Sequence, residues 1–89
     1  MDRKHVYFSG RVQGVGFRYV TRNIAGDYAI GGFVRNLPDG RVELVVQGPE
    51  KQVTAFLEEL TEQLGRYIIE MALQDEPCGD EFDGFEIRY

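Results

Sequence analysis

The chain has 89 residues, a formal net charge of -5 and a hydrophobic fraction of 43%. This length suits one domain over residues 1–89 with a single core, and the composition is that of a globular protein. The acidic balance disfavours nucleic acids and anionic membranes as partners. No apolar run approaches the roughly 20 residues that cross a bilayer, and Cys78 is the sole cysteine. We therefore expect a cytoplasmic monomer without an intrachain disulfide.

The N-terminal part of the chain predicts a strand, a glycine-containing loop and a helix. Residues 4–12 alternate between apolar and polar side chains, which is the period of a strand. Residues 18–29 carry apolar side chains at helical spacing. Because Gly26 weakens this helix, we expect its last turn to fray and Gly31 and Gly32 to end it.

The rest of the chain predicts a hairpin, a second helix and two further strands. The predicted elements are strands over 33–37 and 41–47 around the turn at 38–40, a helix from Pro49 to Gly65, and strands over 67–73 and 85–89. The order β-α-β-β-α-β with an extra C-terminal strand predicts an α+β fold. In this ferredoxin-like sandwich, an antiparallel-rich sheet carries two helices on one face.

Two polar features are interpreted as solvated surface. His5, the sole histidine, lies near the chain end on the more polar face of its strand. Residues 74–83 are acidic, contain Pro77, and lack the ligand positions and glycine spacing of a calcium loop. Neither feature is expected to carry the chemistry of the protein.

The stretch from Gly10 to Arg18 has the clearest chemical character. Gly14 and Gly16 permit backbone angles that turn successive N–H groups toward one point. The following helix N-terminus adds positive potential, which favours an anion there. Arg18 falls at the start of that helix, and its guanidinium matches a phosphate or carboxylate bidentately. The sequence therefore predicts an anion cradle with an arginine at its rim.

The residue types exclude several common catalytic sites. No lysine and hydroxyl follow Gly16 as a Walker loop requires, and Tyr19 replaces the third glycine of a dinucleotide fingerprint. A single histidine supports neither a nucleophilic triad nor a zinc set. Asn36 remains, because its carboxamide can accept a hydrogen bond from a water although it is no base. It either orients water for hydrolysis of an activated phosphate compound or merely begins the turn at 38–40.

Two stretches resemble the signature motifs of the acylphosphatase family. They are Gly10-Arg11-Val12-Gln13-Gly14-Val15-Gly16-Phe17-Arg18 and Gly32-Phe33-Val34-Arg35-Asn36-Leu37-Pro38-Asp39-Gly40. The resemblance covers essentially the whole chain and is weakest over residues 66–83. It implies a hydrolase that cleaves the carboxyl-phosphate bond of small acyl phosphates to a carboxylate and inorganic phosphate, with no metal and no cofactor.

The resemblance also implies roles for individual residues. Backbone N–H groups of a phosphate-binding loop would hold the phosphoryl oxygens; the loop comprises Gln13, Gly14, Val15, Gly16, Phe17 and Arg18. The implied catalytic residues are Arg18, which would pair with the phosphate and counter charge in the transition state, and Asn36, which would orient the attacking water. The implied partner is a small-molecule acyl phosphate, and inorganic phosphate or sulfate is expected to occupy the same site.

Three alternative functions are compared with the sequence below. An RNA-recognition sheet needs aromatic motifs on its first and third strands, but residues 41–47 contain no aromatic side chain. An acylphosphatase-like domain also forms part of larger hydrogenase-maturation proteins that handle carbamoyl phosphate. A degenerate homologue would bind an anion without turnover, and the presence of both Arg18 and Asn36 counts against that function.

Overall fold

Five strands form one sheet, and two helices pack on one of its faces. The structure, a computed structural model, describes all residues from Met1 to Tyr89. In chain order the elements are β1 (Asp2–Gly10), α1 (Phe17–Ala25), β2 (Gly31–Asn36), β3 (Val42–Gly48), α2 (Glu50–Leu64), a 3-10 turn (Gly65–Tyr67), β4 (Ile68–Asp75) and β5 (Phe85–Arg88). This order confirms the predicted ferredoxin-like α+β sandwich with its extra C-terminal strand.

The strand order in the sheet is β4-β1-β3-β2-β5. β1 pairs antiparallel with β3 and β4, and β2 pairs antiparallel with β3. β5 instead runs parallel to β2 and places Arg88 opposite Arg35. As a result Tyr89, which follows β5, lies beside Asn36 at the end of β2. No helix is both long enough and apolar enough to span a bilayer.

The hydrophobic core lies between the sheet and the two helices. Alternate residues of the central strands and one stripe from each helix supply its side chains. The buried cluster comprises Val6, Phe8, Val12, Phe17, Ile24, Ala25, Val34, Val42, Leu44, Val46, Val53, Phe56, Leu60 and Leu64. Val12 and Phe17 belong to this core although they flank the loop between β1 and α1. Both ends of that loop are therefore anchored.

Several element boundaries differ from those predicted by the sequence. β1 ends at Gly10, where its pairing with β4 is irregular, rather than at residue 12. α1 ends at Ala25 and is capped by Gly26, so the predicted continuation to residue 29 was wrong. Gly31 and Gly32 do not end a helix but begin β2, paired with β3. A single weak helix former near the C-terminal end was enough to stop the helix a full turn early.

His5 lies in a charged network on the sheet face opposite the helices. Its Nδ1 is 2.6 Å from Glu76 Oε2 and its Nε2 is 2.7 Å from Glu43 Oε2. Arg35 Nε donates a further hydrogen bond to Glu43. The His5 side chain is only 15% exposed, so its interpretation as a solvated surface residue was wrong. Both ring nitrogens can donate to their carboxylates only when the imidazole is protonated.

The acidic segment 74–83 is partly ordered against the same face. Gln74 and Asp75 belong to β4, which therefore runs two residues beyond the predicted strand. Arg3 pairs with both Glu76 and Glu81. The segment is thus not simply a solvated loop, because ion pairs hold it to the outer face of the sheet.

The network predicts a loss of stability in acid. Burial would raise the pKa of Glu43, but hydrogen bonds from His5 and Arg35 and their charges lower it below its ordinary 4.5. The hydrogen bond from His5 likewise lowers the pKa of Glu76. Stability from a carboxylate whose folded pKa is lowered is present above the unfolded pKa and is lost as pH falls through the folded pKa.

We therefore expect the free energy of unfolding to decrease as pH falls below about 4.5. Urea unfolding at a series of pH values measures this dependence. His5→Ala should cost about 2 kcal/mol near neutral pH and flatten the acid dependence, because it leaves both carboxylates without that donor. Equal stability of wild type and His5→Ala at all pH values would show that the hydrogen bonds of His5 to the two carboxylates do not stabilise the fold.

Candidate functional site

The loop between β1 and α1 presents bare backbone to solvent. Gly14 and Gly16 have φ values of +79° and +78°, in the left-handed region that glycine tolerates best. A Cβ built on either residue would meet no other atom within 4 Å. Packing within the protein therefore does not exclude a side chain at these positions. Their outer face is open for a ligand to approach the N–H groups closely.

The N-terminus of α1 lacks the groups that usually neutralise it. Gly16 is the N-cap, no side chain caps the helix, and its first turn contains no acidic residue. The first turn instead contains Arg18, although a cation at a helix N-terminus opposes the helix dipole. Such a repulsion between the Arg18 guanidinium and the N-terminus of α1 is expected where an anion binds between them.

The loop and β2 enclose a recess of about 190 Å³. Its lining comprises Val12, Gly14, Gly16, Phe17, Arg18, Tyr19 and Asn36. This volume is below the roughly 300–1,000 Å³ of pockets for drug-sized ligands, so it suits a small ligand. Arg18 and Asn36, which come from different elements, thus meet at one site.

The Asn36 side chain ends in an unsatisfied acceptor. Its Oδ1 is buried and has no hydrogen-bond partner, the sole buried side-chain nitrogen or oxygen atom in this state. Leaving such an atom unpaired costs about 1–3 kcal/mol. The oxygen makes no hydrogen bond to the turn at 38–40, which argues against a purely turn-initiating role. Asn36 also lines the recess, next to Arg18 and the two glycines.

Gln13 holds the loop against the β2–β3 hairpin. Its Nε2 donates to Leu37 O at 2.8 Å and to Arg41 O at 2.9 Å. The side chain therefore points to the hairpin that carries Asn36 and not into the recess. Val15 also lies outside the recess, because its side chain packs against the core. The other predicted loop residues and Asn36 do line the recess.

Tyr89 is a neighbour of the site that sequence patterns missed. Its ring centroid is 4.9 Å from Arg18 Cζ, and its hydroxyl is 3.4 Å from that of Tyr19. This contact depends on the parallel pairing of β5 with β2, which no local pattern reveals. The ring supports the Arg18 guanidinium through a cation–π contact at the rim of the recess.

A larger recess elsewhere is unsuited to an anion. It measures about 440 Å³ and lies along α2 beside Tyr28. Glu58, Glu59 and Glu62 line it, so its potential repels negative charge. No group of three or more His, Cys, Asp or Glu side chains is arranged to hold a metal ion. The loop recess is therefore the better candidate site for an anionic ligand.

Gln13→Ala tests the tie between loop and hairpin. The change removes both hydrogen bonds to the hairpin, so the loop becomes looser and the recess less pre-organised. We expect a roughly threefold to tenfold higher KM for a phosphate-bearing substrate with a smaller change in kcat. Gln63→Ala, which removes an exposed glutamine bonded to Glu59 on α2, is the matched control. Equal kinetics of both variants would contradict a role for this tie.

Comparison with known proteins decides the family. The family model described as acylphosphatase matches residues 4–87. The chain belongs to the acylphosphatase family. Among relatives in this family, the acylphosphatase of Haloarcula marismortui is 47% identical over 90 residues, covering 98% of this chain and 96% of the relative. The acylphosphatase of Syntrophus aciditrophicus is 42% identical over 90 residues, covering 100% and 94%.

Solved structures of acylphosphatases share the fold. The crystal structure of acylphosphatase from Bacillus subtilis superposes with a TM-score of 0.88 at 30% identity, covering both chains completely. A crystal structure of HypF from T. kodakarensis matches with a TM-score of 0.85 at 31% identity. The match covers 100% of this chain and 12% of the HypF chain. Membership of the acylphosphatase family identifies the chain as a hydrolase acting on acid anhydrides.

Proposed function

We propose that this protein hydrolyses small acyl phosphates to a carboxylate and inorganic phosphate without a metal ion. The observation that carries the proposal is that Arg18, the left-handed glycines and Asn36 line one recess, and that the buried Oδ1 of Asn36 has no partner within the protein. Membership of the acylphosphatase family supports the reaction class. The proposed substrate is the acyl phosphate dianion, and inorganic phosphate or sulfate binds at the same place.

In this proposal the loop binds the phosphoryl group. The backbone N–H groups come from Gln13, Gly14, Val15, Gly16, Phe17 and Arg18. The Arg18 guanidinium adds a fixed positive charge beside the helix N-terminus. Charge on the phosphoryl oxygens is greatest near the transition state, so donors fixed in advance lower the barrier without having to reorganise.

Asn36 positions the nucleophile. Its Oδ1 accepts a hydrogen bond from a water, and that water attacks phosphorus in line with the acyl oxygen. The new bond joins the water oxygen to phosphorus, and the bond from phosphorus to the acyl oxygen breaks. The carboxylate leaves with the bonding electrons, and a water proton passes to a phosphoryl oxygen. The acyl phosphate dianion and water thus become a carboxylate and dihydrogen phosphate.

The proposal needs neither a metal nor a side-chain base. Metal ions in phosphoryl transfer mainly neutralise developing charge and orient groups. Here the guanidinium of Arg18 and the uncapped N-terminus of α1 supply positive charge in the recess. The acyl phosphate also contributes a good leaving group, because its leaving oxygen becomes a resonance-stabilised carboxylate. Positioning and charge stabilisation are therefore sufficient.

Hydrolysis of benzoyl phosphate with and without a metal chelator tests the proposal. Release of inorganic phosphate by the purified wild-type protein is expected in both conditions at the same rate. Circular dichroism confirms that the protein is folded in each assay. Absence of turnover by folded protein would overturn the proposed reaction. Loss of turnover with chelator, restored by added divalent cation, would overturn metal independence alone.

We also propose that residues 1–89 fold as one unit that is monomeric and cytoplasmic. The radius of gyration of 11.8 Å agrees with the roughly 12 Å expected for a compact unit of this length. The lone, exposed Cys78 suits a reducing compartment. A single cooperative unfolding transition, a monomer mass in sedimentation and recovery in the cytoplasmic fraction are the expected results. Two transitions, a dimer mass or recovery outside the cytoplasm would each contradict one part.

A further inference from the structure

A second recess lies beside the loop recess. It measures about 490 Å³ and is lined by Arg35, Asn36, Leu37, Pro38 and Tyr89. Asn36 lines both recesses. Tyr89, in the second, lies 4.9 Å from the Arg18 guanidinium, which lines the first. The two recesses are therefore neighbours, linked by Asn36 and by the contact between Tyr89 and Arg18.

The walls of the second recess are largely apolar. Leu37 and Pro38 offer aliphatic surface, and Tyr89 is an exposed residue that adds aromatic surface. Arg35 is the one charged residue of the lining, and its Nε is engaged by Glu43 on the outer sheet face. Such a surface favours a planar or extended apolar group more than a small polar one.

The backbone that carries Leu37 is fixed independently of its side chain. Leu37 N donates to Arg41 O at 2.8 Å, and Leu37 O accepts from Gln13 Nε2 at 2.8 Å. The Leu37 side chain is half-buried and is absent from the hydrophobic core. A smaller or polar side chain at this position therefore changes the recess without removing a hydrogen bond of the turn.

We propose that the second recess is the acyl-binding subsite and that it selects acyl phosphates with aromatic or extended apolar acyl groups over acetyl phosphate. The proposal rests on the proposed function, because a phosphoryl group beside Arg18 and Asn36 directs its acyl group into this neighbouring space. An aromatic acyl group offers more apolar surface to Leu37, Pro38 and the Tyr89 ring than an acetyl group does.

Substrate selectivity in Leu37→Ser tests the subsite. We expect kcat/KM for benzoyl phosphate to fall roughly fivefold to tenfold and that for acetyl phosphate to change less than about twofold. Ile69→Ser, which alters an 84% exposed residue of β4, is the matched control and should change neither value. Leu37→Ala should show an intermediate loss if apolar contact is the cause. An equal fall for both substrates, or no fall for either, would overturn the subsite.

A binding experiment separates this proposal from the proposed function. Calorimetry compares benzylphosphonate, which cannot be hydrolysed, with inorganic phosphate on wild type and on Leu37→Ser. Wild type should bind benzylphosphonate at least about fivefold more tightly than phosphate, and Leu37→Ser should lose most of that difference. If this difference in affinity is found but no turnover is detected, the subsite is retained and the proposed hydrolysis is rejected. Equal affinity of wild type for both ligands would overturn the subsite even if turnover is found.

Discussion

Arg18→Ala is expected to lower kcat/KM for benzoyl phosphate by about 10³-fold or more and to weaken binding of inorganic phosphate. The guanidinium is the charged group of the recess, so its loss affects the bound ground state as well as the transition state. Initial-rate kinetics and calorimetric titration with phosphate measure the two effects separately. Arg18→Lys retains the charge but loses bidentate geometry and should recover only part of the activity.

Arg22→Ala is the matched control for this prediction. Arg22 lies on the same helix, is exposed, and stacks over the Tyr19 ring at 5.5 Å. Its removal changes the net charge by the same amount as removal of Arg18, but Arg22 itself does not line the recess. Similar losses of phosphate affinity in both variants would show that general electrostatics, and not a specific contact of Arg18, governs binding.

Asn36→Ala is expected to lower kcat by about 10²- to 10³-fold while phosphate affinity stays within about twofold. The side chain is proposed to hold the water and not the phosphate, so the loss falls on the chemical step. The same variant should be as stable as wild type or more stable by about 1 kcal/mol, because it removes a buried acceptor that has no partner. Urea unfolding measures the stability and initial rates measure the loss.

Asn23→Ala, an exposed asparagine of α1, is the control for that experiment. It should leave kcat unchanged. A normal turnover number in Asn36→Ala would remove Asn36 from the proposed mechanism. A large loss of stability would show that the carboxamide is part of the folding core, which its lack of a partner does not suggest.

Asn36→Ala is expected to lower activity but not stability, and both effects have a common physical origin. The buried Oδ1 of Asn36 lacks a partner, which opposes local stability. Arg18 opposes local stability as well, because it lies at a helix N-terminus. In the proposed mechanism, both are compensated when an anion and a water fill the recess. A chain that retains two such costs at one site is typical of a functional site.

The fold was predictable because its local patterns agree with one another. Apolar and polar residues alternate along β1 and β3, and α2 carries an apolar stripe. These patterns and the neighbouring turn residues all predict the same fold. The errors arose where a single residue decides the outcome. Gly26 ended α1 early, and Gly31 and Gly32, which were predicted to end that helix, lie in β2 instead.

The lining of the candidate site was predictable where it is contiguous in sequence. Gly14, Gly16 and Arg18 lie in one motif, and the approach of Asn36 follows from the resemblance between the second motif and the acylphosphatase family. Tyr89 was missed because its contact with Arg18 joins residues 71 positions apart through a parallel strand pair. The network around His5 was missed for the same reason, since Glu76 is equally distant in the chain.

Hydrolysis of benzoyl phosphate in ¹⁸O-labelled water distinguishes attack at phosphorus from attack at the acyl carbon. In the proposed mechanism, water held by Asn36 attacks the phosphorus bound by Arg18 and the loop. Mass spectrometry of the products after enzymatic turnover, corrected for uncatalysed hydrolysis, should therefore find one ¹⁸O atom in inorganic phosphate and none in benzoate. Label in benzoate would show attack at the acyl carbon and would contradict the account.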